Sequence, residues 1–429
     1  MKNIKKIKGF KDYDYIYLFR WNIILNEIKK IVISYGYNEI IFPLLEYDYL
    51  FKNSIGLNNN LINQMFYIKN KNFVLRPEGT SCCIRFGLEN GFFRGQKNKW
   101  WYFGPMFRYE NTQLGRYREF YQFGIECFGY DSIGIDIELI LIINKFLKKI
   151  KIINEIILEI NYIGINYINL YKNDIINFLI KNKEIFGNLN INNINNNPFN
   201  ILESKYNIGC NNIKNFILKN CPKITKYFTI KDYIYFKYFR KLLYLNKINF
   251  YYNPFLFRGI NYYSKIIFEY KSNYLNGLSI CSGGRYDNLC NKLNNKYNIS
   301  SVGLAIGWNR LLLILDNKYK KKNNLYLKNK YNIYISLIKF KSLKFTIYIS
   351  EKIRFLYPKL KILVDYSFSN IKNKIKIIKK NNIYISLIIN KKNNINEIFL
   401  FNKNVMIEKI SFNNLKKIID KLNFFFKYN

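Results

Sequence analysis

Apolar positions at Phe19, Ile23, Ile24, Ile28 and Ile31 fall at helical spacing. They predict a helix over Ile16–Tyr35 that closes at Gly36, a residue suited to the left-handed turn after a helix. Glu39–Glu46 (EIIFPLLE) then reads as a short strand. Pro43 within it suits an edge or a bend, because proline has no N–H for a ladder. Phe73–Leu75, Lys99–Phe103 and Phe120–Phe128 alternate or are aromatic-rich, as strands are, and Ile135–Phe146 has helical character. Strands broken by hairpins and helices predict an antiparallel sheet with helices around it, an α+β core.

The pattern changes between Tyr167 and about Asn249, where Lys/Ile/Phe segments of helical type surround the Asn-rich run Asn188–Asn197. We expect a helical insertion over 167–249, splitting a core of residues 1–166 and 250–315. Asp316–Asn332 is polar and basic, a natural linker over 316–332. Beyond it, strand-like Ile333–Leu337, helical Ser342–Leu356, strand-like Lys361–Val364, helical Ile371–Lys379 and strand-like Ile383–Ile389 alternate. That alternation predicts an α/β domain over 333–429. No glycine follows Gly307, so this domain has no phosphate-cradling loop, and the chemistry is expected in the first 315 residues.

Composition narrows the chemistry. At 429 residues the chain can build two or three cores. A net charge of +41 suits a polyanionic partner such as nucleic acid, although a lysine-rich bias alone makes a basic chain. There is no histidine, which excludes His-based acid–base catalysis, His–Cys nucleophile pairs and most zinc sites; no protein-bound zinc is expected. Seven cysteines without a C-x-x-C pair fit reduced thiols and a cytoplasmic location. The start, MKNIKKIKGFKDYDY, lacks the apolar core of a signal peptide, and no apolar run approaches the ~18 residues of a membrane span, so no membrane association is expected.

One window departs from the background. Of 69 basic residues only 12 are arginine, yet Arg108, Arg116 and Arg118 fall within Trp100–Gly129, alongside four glycines and three glutamates. A guanidinium offers a fixed fork of donors that an ammonium does not. Phe107-Arg108-Tyr109-Glu110, a turn around Gly115, and Arg116-Tyr117-Arg118-Glu119-Phe120 read as a hairpin with arginines on both arms. Gly303-Leu-Ala-Ile-Gly307-Trp-Asn-Arg310 follows far downstream, and Tyr35-Gly-Tyr-Asn-Glu-Ile-Ile-Phe-Pro43 precedes.

In this order the three segments resemble motifs two, three and one of the class II aminoacyl-tRNA synthetases. Arg76-Pro-Glu78-Gly79-Thr80, Tyr121-Gln122-Phe-Gly-Ile-Glu126, Arg258-Gly-Ile-Asn-Tyr262-Tyr263 and Gly283-Gly-Arg-Tyr-Asp287 resemble signatures of the histidyl-tRNA synthetases. The likeness runs over essentially the whole chain. It implies an antiparallel-sheet class II catalytic core with a helical insertion and a C-terminal α/β anticodon-binding domain. It also implies a homodimer whose partners are L-histidine, ATP with Mg2+, and tRNA(His).

By that resemblance Glu78, Thr80 and Gln122 hold the amino-acid ammonium, Glu126 and Tyr263 read the imidazole, and Gly79 and Tyr262 complete the histidine-binding set. Arg108 and Arg258 would be catalytic, both supporting the α-phosphate. Glu110, Arg116, Phe120 and Arg310 would join Arg108 in binding ATP. The chain departs from the family at Asn309, where motif three has Glu, at Asn261, where Asp is usual, and at Asn111-Thr112 in the hairpin loop. A non-catalytic relative, the regulatory subunit of ATP phosphoribosyltransferase, is the alternative. It lacks an anticodon domain and usually loses the catalytic arginines.

Overall fold

The computed structural model describes residues 4–57, 59–95, 97–164, 167–187, 191–196, 198–208, 211–257, 262–275, 277–294, 296, 298–319, 331–381, 383, 385–392, 395–402 and 405–411. Arg258, Gly259 and Asn261 lie outside them, as do 320–330 of the expected linker. The chain divides into two compact units, Met1–Lys320 and Lys321–Asn429.

An eight-stranded sheet organises the first unit. Its spatial order is Asn38–Glu39, Asn98–Phe107, Glu119–Phe128, Ser301–Gly307, Ser279–Arg285, Ile266–Ser272, Ile156–Tyr162 and Tyr251–Tyr252. The six interior strands pair antiparallel, and only the two-residue edge strands pair parallel. Strand alternation divides the faces. Phe123, Ile125 and Cys127 of one strand, with Val302, Leu304 and Ile306 of its neighbour, enter the main core. That core is closed by the Tyr15–Ser34 helix, through Trp21, Ile28, Ile31 and Val32, and by the Ile133–Lys149 helix. Asp14 and Ser132 cap these two helices with side-chain oxygens on backbone N–H groups.

On the other face the middle of the sheet is almost bare. Gly124 faces Ala305, and Gly303 and Gly307 flank it in register with Glu126 and Gln122. Small residues there leave room for something other than protein.

The Glu39–Glu46 segment is not one strand. It makes Asn38–Glu39 in the large sheet and Leu45–Tyr47 in a separate three-stranded sheet with Phe66–Tyr67 and Phe73–Leu75. Around Pro43 the ladder gives way, and the carbonyls of Phe42 and Pro43 bond the Arg76 guanidinium instead. The segment after motif three also differs from expectation. The Trp308–Tyr319 helix runs on through Asp316, whose carboxylate pairs with Arg20 at 2.8 Å.

Between Ile156–Tyr162 and Ile266–Ser272 lie the helices Ile168–Lys181, Ile191–Asn196, Pro198–Ile208, Asn211–Asn220 and Ile230–Leu245. Most of them share a core built on Tyr171, Ile175, Phe178, Leu179 and Phe186. Ile230–Leu245 opens on a capping box, with Thr229 and Asp232 bonding each other's backbone N–H.

The second unit is a five-stranded sheet ordered Ile362–Asp365, Ile333–Leu337, Ile385–Lys392, Ile395–Asn402, Val405–Ser411. The first three strands are parallel and the last two antiparallel. Ile333 and Ile335 pack with the Leu343–Leu356 helix, while Tyr334 packs with Ile378 of the Ile371–Lys380 helix on the opposite face.

Candidate active site

A cleft of about 330 Å³ opens on the glycine-rich face of the large sheet. Glu78, Thr80, Gln122, Tyr262 and Tyr263 line it, and so do Arg108, Glu110, Arg116, Phe120 and Arg310. Residues far apart in sequence therefore meet on one surface. Gly79 sits between two of them, and Glu126 is buried in the cleft's floor strand.

Local structure explains each placement. Glu78 caps the Thr80–Glu89 helix, its carboxylate accepting from the N–H groups of Thr80 (2.6 Å) and Ser81 (2.9 Å). Thr80 is thereby turned toward Glu126, to which its hydroxyl donates at 2.8 Å. Tyr286 donates its hydroxyl to the other carboxylate oxygen. Gly303 stands directly across the ladder from Glu126, and a Cβ there would fall inside the carboxylate. Burial pushes the Glu126 carboxyl up to about 8; the Tyr286 and Thr80 bonds oppose the shift, and the Glu78 carboxylate adds to it.

The arginine end is built differently. The long strands stop at Phe107 and restart at Glu119, so Arg108, Arg116 and Arg118 occupy the connecting loop rather than the arms of a strand hairpin. A bridge between Gln113 and Arg116 and a left-handed Gly115 (φ 74°) form its tip. Arg108 donates to the Pro77 carbonyl at 2.9 Å and lies over the Phe120 ring, 5.0 Å from its centroid. Arg310 donates to the carbonyls of Gly115 (3.0 Å) and Ser279 (2.8 Å). Burial, with the nearby charges of Arg116 and Arg108, pushes the Arg310 guanidinium down to about 10, the carboxylates of Glu110 and Glu269 opposing the shift. Among the described residues neither Arg116 nor Arg310 forms an ion pair. Converging, mutually repelling guanidiniums in a cleft are what a polyphosphate would neutralise.

The departure at Asn309 has a local reason. Its side-chain carbonyl accepts from the Tyr121 N–H at 2.7 Å, and its amide donates to the Tyr13 hydroxyl at 2.5 Å. It ties the N-terminal segment to the strand that carries Gln122. Two signature arginines prove structural. Arg76 spans the carbonyls of Pro105, Phe42 and Pro43. Arg285 is fully buried on Asp136, with the carbonyls of Tyr130 and Ser132 and the Asp287 carboxylate completing its partners.

Reading the sequence alone did not bring out Tyr102, Glu269, Ser282 or Asn59, which also line the cleft, nor the grip of Tyr286 on Glu126. Tyr286 could have been found, since it lies inside the G-G-R-Y-D signature, and Tyr102 lies inside the Trp100–Gly129 window, though not in a motif; Glu269, Ser282 and Asn59 carry no such signal. Among the described residues no group of three or more Cys, Asp or Glu converges as a metal site would, and no helix is long and apolar enough to cross a membrane.

An antiparallel sheet with a glycine-cleared face, an arginine-bearing loop between its two long strands and a strand-to-helix arginine opposite defines the catalytic core of a class II aminoacyl-tRNA synthetase. The histidyl-tRNA synthetase family model matches residues 10–170. The histidine–tRNA ligase of Buchnera aphidicola subsp. Schizaphis graminum is 36% identical over 395 residues, 90% of each chain. That of Blochmanniella pennsylvanica is 37% identical over 400 residues, 91% of this chain and 89% of that one. The chain belongs to the histidine–tRNA ligase family.

In fold it matches the apo histidyl-tRNA synthetase of S. aureus, with a TM-score of 0.73 at 22% identity, covering 97% of this chain and 99% of that one. A Bacillus halodurans structure described as an ATP phosphoribosyltransferase regulatory subunit/histidyl-tRNA synthetase matches with a TM-score of 0.62 at 18% identity, over 91% and 98% of the two chains. At that identity the likeness is one of fold alone. The regulatory-subunit reading is not favoured, because the relatives above 30% identity are histidine–tRNA ligases over most of their length.

Proposed function

We propose that the glycine-floored cleft is where this chain carries out the reaction of its family, the aminoacylation of tRNA(His). In the first step the histidine carboxylate attacks the α-phosphorus of ATP and pyrophosphate leaves. In the second, a terminal ribose hydroxyl of the tRNA attacks the adenylate carbonyl and AMP leaves. The observation that carries the reading is the meeting, in one cleft, of the Arg108–Arg116–Arg310 cluster with Glu78, Thr80 and Gln122.

Positioning and charge dominate such a step. Arg108 and Arg258 support the α-phosphate, and Arg116 the outer phosphates of the magnesium-bound nucleotide. Phe120 and Arg310 hold the adenine, with Glu110 beside it. Support for an anion here is the crowding of Arg310 by Arg116 and Arg108. Glu78, Gly79, Thr80 and Gln122 form the ammonium subsite. Gln122 suits it because its buried side-chain oxygen has no hydrogen-bond partner among the described residues. Glu126, Tyr262 and Tyr263 form the imidazole end. Pairing both ring nitrogens would exclude apolar isosteres, whose binding would leave buried polar groups unmet.

Recognition of the tRNA would be shared, with the α/β unit reading the anticodon. Phe340 and Phe368, exposed and 5.7 Å apart, sit just beyond the carboxyl ends of adjacent parallel strands, with exposed Lys339 and Lys341 beside them. Unstacked bases and phosphates suit that combination. A homodimer is supported by the exposed apolar side chains Ile33, Ile41, Leu44, Leu45, Tyr47 and Tyr49 in and around motif one. A cytoplasmic location agrees with the six described cysteines, all buried, with no disulfide among the described residues.

Amino-acid-dependent ATP–pyrophosphate exchange tests the reading. Histidine alone should stimulate exchange, and Arg258→Ala should abolish it while leaving tRNA binding nearly intact. Exchange with no amino acid, or with a different one, would overturn the assignment.

A further inference from the structure

Tyr102 lies on the Asn98–Phe107 strand, across the ladder from Gly124 and between the register positions of Gln122 and Glu126. It lines the cleft, is 2% exposed, and its hydroxyl has no hydrogen-bond partner among the described residues. A buried phenol left without a partner is unusual, since such groups normally find one.

The surroundings are shaped around this hydroxyl. Cβ atoms built on Gly79 and on Gly124 would both collide with the phenol tip of Tyr102. Two signature glycines, one in R-P-E-G-T and one in Y-Q-F-G-I-E, thus clear a single niche for one side chain. Neither glycine has positive φ, so conformation does not require them there. The titratable groups whose charges act on the hydroxyl are Glu126, Cys83, Glu78 and Tyr262.

We infer that the Tyr102 hydroxyl is a further specificity-determining contact, a polar partner for the imidazole of the amino-acid substrate at the Glu126 end of the cleft. The inference rests on the reading of this cleft as the histidine site. A phenol can donate to an unprotonated ring nitrogen or accept from a ring N–H. Either bond satisfies a group that the empty protein leaves unmet. A phenylalanine here would keep the ring and its packing while losing only that bond.

The test is histidine-dependent ATP–pyrophosphate exchange on Tyr102→Phe, with the thermal midpoint of the unliganded protein measured alongside. The expected result is a histidine KM raised about tenfold, the loss of one hydrogen bond to substrate. The KM for ATP should be unchanged and the unliganded midpoint equal or higher, because an unmet polar atom has been removed. A merely structural hydroxyl gives the reverse, a lower midpoint with an unchanged histidine KM, and overturns the inference. Glu126→Gln serves as the parallel variant. If it raises the histidine KM and Tyr102→Phe does not, the Tyr102 contact alone is wrong. If neither does, the histidine site itself is misplaced and the inference falls with it.

Discussion

Glu126→Gln is the substitution whose consequences follow most fully from the geometry. The carboxyl is 1% exposed and accepts bonds from Thr80 and Tyr286. Burial, the largest cause, pushes it from 4.5 up to about 8. Between those two values the folded chain holds a proton that the unfolded chain has released. The stabilising contribution is therefore complete below pH 4.5 and is lost as pH rises through about 8. The full loss amounts to about 5 kcal/mol, at roughly 1.4 kcal/mol per pH unit.

Glutamine is isosteric, can accept from Thr80 and donate to the Tyr286 oxygen, and does not titrate. The difference in thermal midpoint between variant and parent, followed without ligands from pH 5.5 to 8.5, isolates this one group. The variant should gain on the parent as pH rises, by on the order of 5–10 °C over the range for a unit of this size. If the cleft is the histidine site, histidine KM in the exchange assay should rise about tenfold at neutral pH, as the carboxyl's hydrogen bond to the imidazole is removed. Midpoints that stay parallel across the pH range would refute the burial argument.

Other outcomes test the neighbouring parts. Gly303→Ala places a methyl where the Glu126 carboxylate lies; histidine activation should fall at least 100-fold in kcat/KM while ATP binding, read by fluorescent-nucleotide titration, persists. Arg116→Ala relieves the crowding around Arg310, so the ATP KM should rise about tenfold or more with little change in the histidine KM, measured by exchange. Ile41, 83% exposed beside Pro43, is the position to charge: Ile41→Asp should shift a dimer toward monomer in analytical ultracentrifugation, and an unchanged sedimentation coefficient would remove the apolar stretch from the interface.

Much of this was legible because the periodicities are strong. Ile333–Leu337 appears as a strand with the bounds its sequence suggested, and the first helix differs by one residue at each end. Misreadings arose where a local cause competed with the pattern. Pro43 and the Arg76 fork divide Glu39–Glu46 between two sheets. The strands Ile395–Asn402 and Val405–Ser411 hide in Asn- and Lys-rich sequence and form by pairing along a sheet edge. The cleft's named residues came from motif order, which marks positions but not partners. Tyr102 has no motif; its niche is visible only once two glycines from different motifs are seen against one ring.

The arginines sharpen what a lysine-rich background can say. Lysine serves where a carboxylate needs a charge, as in Lys99–Glu138 at 2.7 Å or Lys318–Glu155 at 2.6 Å, and buried Lys374 meets Asp365 and Ser367 together. Several arginines span many acceptors from one fork, Arg76 on three carbonyls, Arg85 on Glu46 and Glu89, Arg310 on two carbonyls, Arg285 on two carboxylates and two carbonyls, while Arg20 and Arg354 each pair with one carboxylate. At the four spanning positions the arginine marks multidentate geometry, and the cleft separates Arg310 from the structural forks. Arg285→Lys separates the two meanings. The ammonium keeps the charge opposite Asp136 but cannot reach every acceptor, and buried partners left unmet should destabilise the fold by about 3–5 kcal/mol. Urea unfolding followed by tryptophan fluorescence measures the loss, while the histidine and ATP KM values of the folded fraction should stay within about twofold. A variant as stable as the parent would show that charge alone, and not the fork, is what position 285 requires.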